Sequence, residues 1–425
     1  MTPKGRRVLF ISYNGMLDPL GQSQVIPYLR ELSRAEGVSF TLLSFERPAA
    51  FTPEGAKACE GLARDLGRDG IEWHRLRYHR RPSLPATAYD VFAGVRYARR
   101  LVRRNGIEMV HARSHVPAAM ALRLKREFGV PLIFDVRGLL AEEYADAGHW
   151  REGEFKYRLT KRMERRAFRA ADGVVTLTEA IWPVIREWPG LRGRVVAHAV
   201  VPCCADLGRF RFDPAARGAR RAELGLTDRF VLVYSGSIGG WYMNGEMADF
   251  FVALLGRKAN AHFLWLTPGS RAEVEALMGS RGVGPERYTV RSVPPAEVGS
   301  YLSGADAAVA FIKPCFSKLA SSPTKTAEYL GCGLPVVLNA GVGDSDLLVT
   351  RERVGALVRE FTPAEYAAAA DTAVRMAADR EATARHARQV AERLFDVGRT
   401  GLERYTRLYE EVFAASEVGG RGGKG

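Results

Sequence analysis

The stretch ASSPTKTAEYLGCGLPVV, residues 320–337, sets small hydroxyl residues, a lysine and a glutamate between a loop and an apolar run. Ser322 is the expected helix N-cap, and Pro323 fits the first helical position, where its missing N–H costs nothing. Glu328, Tyr329 and Leu330 continue a short helix, which Gly331 and Gly333 stop. Pro335, Val336, Val337 and Leu338 have the apolar, β-branched look of a buried strand. The order is loop, helix, tight turn and core strand, and the helix N-terminus is poised as an anion site.

The same alternation runs in both directions from this segment. In the first half, strands are expected at 8–12, 38–44, 107–112, 132–136 and 174–178, separated by helical patterns such as 25–35 and 117–127. A second series starts over at 230–235, 262–267, 288–293, 307–312 and 335–339. Between the series, VVAHAVVPCCADLGRFRFDP (residues 195–214) loses clear periodicity after Pro202. The expected layout is a domain over 1–201, a linker over 202–214 and a second domain over 215–394. A C-terminal helix over 395–417 could pack across either domain, and 418–425 reads as a flexible tail. The fold class is α/β, with two doubly wound, Rossmann-like parallel sheets. In such sheets ligands lie outside the carboxyl ends of the strands, so the interdomain cleft is the expected site.

Composition bounds the function classes. The 425 residues are 47% hydrophobic, enough for two or three cores, and this excludes disorder for most of the chain. A net charge of +14 suits phosphate-bearing ligands, an anionic membrane surface or nucleic acid. The five cysteines (Cys59, Cys203, Cys204, Cys315 and Cys332) form no C-x-x-C pair, which argues against a structural zinc or a disulfide framework. The apolar run at 8–11 is too short for a signal-peptide core, and no run approaches the ~18 residues of a membrane span. A cytoplasmic protein is expected, in peripheral contact with the inner face of the membrane at most.

Two glycine-containing loops follow strands at equivalent places. Tyr234 to Gly240 (YSGSIGG) could bring backbone N–H groups close to a phosphate through Gly236 and Ser237, or could be a plain tight turn. Asn14 to Gln24, containing Gly21, is its counterpart in the first domain. Lys325 in the first turn of its helix opposes the helix dipole unless an anion sits alongside. With the N-terminal N–H groups, it would hold a diphosphate. Glu328, about one turn on, could accept hydrogen bonds from vicinal ribose hydroxyls.

SYNGMLDPLGQSQV near the start, VPCCADLGRF at the linker, VYSGSIGGWYM in the second domain and SSPTKTAEYLGCGLPVV followed by GVGD together resemble the retaining glycosyltransferases of the GT-B fold, glycosyltransferase family 4. The resemblance implies a cytoplasmic enzyme of cell-envelope polysaccharide synthesis. It would move a hexosyl group from a nucleoside diphosphate sugar to a glycan, lipid-linked or small-molecule hydroxyl, with no metal or other cofactor. Carried over, the ribose contact falls on Glu328 and the phosphate contacts on Ser322, Pro323, Thr324 and Lys325. The chain departs from the pattern twice. Ala320 stands where the family has a second glutamate, and the usual Arg and Lys pair is missing from SGSIGGWYM.

On the acceptor side, His111-Ala112-Arg113-Ser114-His115 ends one strand, and Asp135-Val136-Arg137-Gly138 with Glu142-Glu143 ends the next. Arg137 could clamp a phosphate or carboxylate, and Asp135 or Glu143 could orient an acceptor hydroxyl. The expected catalytic set is therefore Lys325, Asp135, Arg137 and His115. The donor set is Gly21, Gly236, Ser237, Ser322, Pro323, Thr324, Lys325 and Glu328, and the acceptor set is Arg113, Glu142, Glu143 and Glu179. Asp344-Ser345-Asp346 has metal-binding spacing, but helix capping explains it more simply, and no metal is assigned. REGEFKYRLTKRMERRAFR (residues 151–169) carries eight basic and three acidic side chains, with Phe155, Leu159, Met163 and Ala167 on one helical stripe. It is either a membrane-surface helix or a core-packed one with a basic face. Two rival functions stand beside transfer: epimerisation of a nucleotide sugar, and nucleic-acid or membrane-surface binding. No recognisable nucleic-acid module supports the last, so no nucleic-acid partner is expected.

Overall fold

The computed structural model describes residues 5–35 and 37–421. Seven strands form the first sheet: β1 (Gly5–Ser12), β2 (Gly37–Glu46), β3 (Ile71–Arg77), β4 (Met109–Arg113), β5 (Leu132–Asp135), β6 (Gly173–Thr176) and β7 (Ala197–Val200). Six form the second: β8 (Phe230–Ser235), β9 (Ala261–Leu266), β10 (Tyr288–Arg291), β11 (Ala307–Ala310), β12 (Val336–Asn339) and β13 (Gly355–Val358). The orders are β3-β2-β1-β4-β5-β6-β7 and β10-β9-β8-β11-β12-β13, with parallel pairing throughout. Helices cover both faces of such a sheet, so its central strands are apolar at every position rather than at alternate ones. Val8, Leu9, Phe10 and Ile11 of β1 are all buried, as are Phe230 to Tyr234 of β8.

Contacts divide the chain into two units. The first runs to Pro202 and takes in the residues from Val397 on, and the second is Cys203–Asp396. The residues expected to form a linker are packed instead: Ala205, Leu207 and Phe210 join one core of the second unit. The C-terminal helix, Leu402–Arg421, belongs to the first unit. It buries Tyr405, Leu408, Tyr409 and Val412, the residues whose spacing predicted its apolar face. Leu408 and Val412 lie over Gly173 of β6, where a Cβ would meet a Val412 methyl at 2.9 Å. Of the expected tail, 418–421 continue the helix, and 422–425 lie outside the described residues.

Because both sheets reverse direction of winding beside their first strand, each has a switch point, between β1 and β4 in one unit and between β8 and β11 in the other. The loops leaving those strands diverge there and form a crevice at the carboxyl edge. Two strands, β3 and β13, carry no signal in the sequence, and β7 is legible there only as a strand-like run before Pro202. β3 (IEWHRLR) is a charged edge strand without an apolar run, β7 is another edge strand, and β13 (GALV) is only four residues long.

Candidate functional site

At the second unit's switch point, the loop after β8 is pinned to the segment after β11. Tyr242 and Ile312 form an antiparallel bridge, the Met243 N–H donates to Phe311 O at 3.0 Å, and the Lys313 N–H donates to Trp241 O at 2.9 Å. The following helix, Thr324–Gly331, adds Tyr329, whose hydroxyl accepts the Ser235 N–H at 2.8 Å. Pro323, not Ser322, occupies the N-cap position, and no side chain caps the helix. Ser322 Oγ is turned away from the expected cap and accepts the Cys203 N–H at 3.1 Å. The first-turn N–H groups of Thr324 and Lys325 are consequently left without a capping acceptor.

Lys325 is 7% exposed, and its Nζ rests between aromatic faces, 3.6 Å from the Tyr242 ring centroid and 4.4 Å from that of Tyr234. It donates weakly to the Tyr234 hydroxyl at 3.4 Å. No carboxylate among the described residues lies within ion-pair distance of it. Burial pushes its pKa down to about 7, against a smaller opposing pull from Glu328. Gly236, with φ at 155°, makes room for the ammonium: a Cβ there would sit 2.5 Å from Lys325 Nζ and 2.9 Å from Tyr234 Oη. Glu328 is half-buried, and burial raises its pKa. Its carboxylate makes no hydrogen bond or ion pair with any described residue. A buried cation without an anion, beside a carboxylate without a donor, is a costly pair of groups to hold ready unless a ligand completes both.

The aromatic wall has no counterpart in the sequence reading. Trp241 and Tyr242 follow the glycine loop, and Lys318 Nζ, itself buried, lies 3.9 Å over the Trp241 ring. A Trp-Tyr pair directly after a Gly-rich turn at a strand end was the available signal. Ala320 is 2% exposed, so no carboxylate occupies the position of the family's second glutamate.

In the first unit, the expected acceptor and catalytic residues are largely engaged with one another. Asp135 is buried and accepts from Tyr405 Oη at 3.0 Å, with His111 Nε2 at 3.3 Å; His111 Nδ1 in turn meets Tyr409 Oη at 2.7 Å. Burial alone would raise the Asp135 pKa, but Arg137 and His111 hold it at about 2. Through Oδ2 it ties β5 to the C-terminal helix, while Oδ1 makes no hydrogen bond among the described residues. Arg137 sits 3.7 Å from Asp135 Oδ1 and reaches Gln24 Oε1 at 3.4 Å. His115 is 1% exposed and bonds Glu164 at 2.9 Å through Nε2, inside a helix interface. Its Nδ1 is buried and makes no hydrogen bond among the described residues. Glu142 pairs with Lys161 at 2.7 Å in the same network.

Other residues also differ from expectation. Arg113 is buried and donates to Asn14 Oδ1 at 3.1 Å across the β1–β4 switch point. Glu143 lies against Gly138, and Glu179 is exposed after β6. Gly21 falls in the helix Pro19–Gln24 rather than in an open loop, and a Cβ there would collide with Gly15 O and Met16 Cα. Close packing by itself accounts for a glycine at this position. Asp344 occupies the N-cap position of helix Ser345–Glu352 without making a side-chain cap bond, while Asp346 accepts the Gly341 N–H at 3.0 Å. Among the described residues no group of three His, Cys, Asp or Glu side chains is placed to hold a metal ion. In the helix Phe155–Ala170, Ala167 and Phe168 are buried, but Phe155 is 66% and Leu159 is 44% exposed.

Residues 21–204 match the sequence profile of the glycosyl transferase 4-like domain. Most of the first unit is thus similar to a glycosyl transferase 4-like domain. No curated protein matches the chain by sequence. Solved structures extend the likeness beyond this domain to nearly the whole chain. Sucrose-phosphate synthase from Thermosynechococcus elongatus superposes with a TM-score of 0.69 at 18% identity, covering 96% of this chain and 100% of its own. HepE from Anabaena, solved in complex with UDP, gives 0.69 at 16% identity over 95% of this chain and 100% of its own. WaaG, a glycosyltransferase involved in lipopolysaccharide biosynthesis, gives 0.64 at 16% identity over 93% and 98%. The chain thus has two Rossmann-like units with the GT-B fold of these neighbours.

Proposed function

We propose that the chain is a glycosyltransferase whose second unit binds a nucleoside diphosphate sugar and passes the sugar to a hydroxyl acceptor with retention of configuration. The observation that carries this is the pair at the β8–β11 switch point that has no partner among the described residues: Lys325, buried with no counter-ion, and Glu328, with no donor. A diphosphate would meet Lys325, the uncapped N–H groups of Thr324 and Lys325, and the Gly236-Ser237 backbone. The ribose hydroxyls would donate to Glu328. The fold neighbours solved with UDP support the same reading.

In the transfer, the bond between the anomeric carbon and the diphosphate oxygen breaks, and the bonding electrons leave with the diphosphate. The acceptor oxygen forms the new bond to the anomeric carbon, and its proton passes to the departing oxygen. Lys325 and the helix N–H groups stabilise the charge that develops on the leaving group, which is electrostatic preorganisation in a water-poor site. At neutral pH Lys325 is only partly charged, but an adjacent diphosphate favours the ammonium form.

The second part of this proposal concerns location. No described helix is long and apolar enough to cross a membrane. The helix Phe155–Ala170 instead exposes Phe155 and Leu159 beside Arg158, Arg162, Arg165 and Arg166, which have no acidic partner among the described residues. That face suits the surface of an anionic bilayer, where apolar side chains enter the headgroup region and guanidinium groups meet phosphates.

A thermal-shift panel of nucleoside diphosphates and their sugars tests donor binding, since a ligand that binds only the native state raises its stability. Incubation of the stabilising donor with hydroxyl acceptors, followed by NMR of the anomeric proton, tests transfer and retention. A sugar released as its epimer without acceptor would replace transfer by epimerisation.

A further inference from the structure

The first unit holds a polar cluster that the proposed reaction has not used. Asp90, in the helix Ser83–Asn105, is fully buried and accepts three hydrogen bonds. They come from Tyr13 Oη at 2.7 Å, the His79 N–H at 3.0 Å and His79 Nδ1 at 2.6 Å. A carboxylate can only accept, so it fixes the proton on Nδ1 and directs the Nε2 lone pair away from Asp90. His79 Nε2 has no partner among the described residues, and the side chain is 39% exposed. The imidazole is thus oriented by a buried carboxylate but presented to solvent.

Its position is equally specific. His79 lies on the loop after β3 and Tyr13 directly follows β1, so both stand at the carboxyl edge of the first sheet, the ligand-facing edge of a doubly wound fold. The same loop carries Arg77, Arg80 and Arg81, all exposed and without an acidic partner among the described residues. Tyr89, 57% exposed, lies perpendicular to the His79 ring with centroids 5.1 Å apart. A hydroxyl-accepting nitrogen, unpaired guanidinium groups and an exposed aromatic ring are the groups that recognise a polyol ring bearing an anion.

Building on the transferase reading above, we infer that the His79 loop is the acceptor site and takes a phosphate-bearing sugar or polyol. His79 Nε2 receives an acceptor hydroxyl, Arg77, Arg80 and Arg81 hold the phosphate, and Tyr89 packs on the ring. His79 is a binding residue that orients the acceptor, and Asp90 with Tyr13 positions it. The phosphate could belong to a soluble sugar phosphate or to a lipid headgroup, since both present the same group to the loop.

The test is NMR of full-length protein labelled at the histidine Cε1 positions, with UDP saturating the donor site. His79→Gln identifies the His79 resonance. The expected result is a saturable shift of that resonance with glucose 1-phosphate, or with vesicles containing phosphatidylglycerol, and none with methyl glucoside. A response to glucose 1-phosphate assigns a soluble acceptor, and a response to vesicles alone assigns a lipid headgroup. The double variant Arg80→Gln/Arg81→Gln, confined to exposed side chains, should weaken the responding ligand about ten-fold. No shift with either phosphate probe, an equal shift with methyl glucoside, or undiminished affinity in the double variant overturns the inference. The UDP-induced thermal shift of the same samples reports on the donor reading alone, so failure of one is distinguishable from failure of the other.

Discussion

The two switch points share one topology and differ in how their buried charges are partnered. Between β1 and β4, and on neighbouring β5, the buried charged groups each bond within the protein, Arg113 to Asn14, Asp135 to Tyr405 and His111, and His115 to Glu164, although Asp135 Oδ1 and His115 Nδ1 make no hydrogen bond among the described residues. Between β8 and β11, among the described residues, Lys325 meets aromatic faces and one hydroxyl, and the Glu328 carboxylate makes no hydrogen bond or ion pair. Position at a strand end is therefore not sufficient to mark a reacting group. What sets Lys325 apart is a buried ammonium with no carboxylate within ion-pair distance among the described residues, a charge whose desolvation a bound anion would offset.

Substitutions can break this contrast. The largest effect is expected from Lys325→Met, which should lower kcat about 10²–10³-fold, the usual consequence of losing one preorganised donor to a developing anion. Asp135→Asn should cost about 3 kcal/mol in urea unfolding, as for one partner removed from a buried ion pair, while nucleotide binding persists. Loss of nucleotide binding in folded Asp135→Asn protein would return that residue to the site.

The pH dependence sharpens the contrast further. With the folded pKa of Lys325 near 7 and its ordinary value at 10.5, the unfolded chain binds more protons between those limits. Stability of the ligand-free protein should therefore rise with pH across that window from this residue, and the penalty is fullest below pH 7. Lys325→Met should remove that component and raise the ligand-free melting temperature at pH 7. Comparing melting curves of the two proteins between pH 6.5 and 9.5 isolates it. A nucleoside diphosphate should also draw a proton onto Lys325 near pH 8, visible by calorimetry in buffers of different ionisation enthalpy. The smallest effect belongs to the first unit: Ser114, after β4, holds φ at 75°, and Ser114→Gly should stabilise the protein by about 1 kcal/mol in urea unfolding.

Much of the fold was legible because parallel sheets covered on both faces write themselves as apolar runs. β8 was placed at its observed bounds, and β12 to within a residue at its start. β3 was not, since an edge strand such as IEWHRLR carries charge where water reaches it. Lys325 and Glu328 stood out through helix position and the family resemblance. Motif reading could not tell Asp135 and His115 from ligand groups, because their partners come from 270 and 49 residues away along the chain. His79 was invisible for the same reason. Its meaning comes from Asp90, one helix later, and from Tyr13, on another strand.

The central claim is that the unpartnered Glu328 and Lys325 exist to receive a nucleoside diphosphate. Isothermal titration of UDP into wild-type protein and Glu328→Gln measures this directly, because the substitution keeps shape and removes the charge that vicinal hydroxyls would bond. The account predicts binding to the wild type and a loss of about 10–100-fold in the variant, as expected for charge-assisted hydrogen bonds. Equal affinity in the two proteins would contradict it.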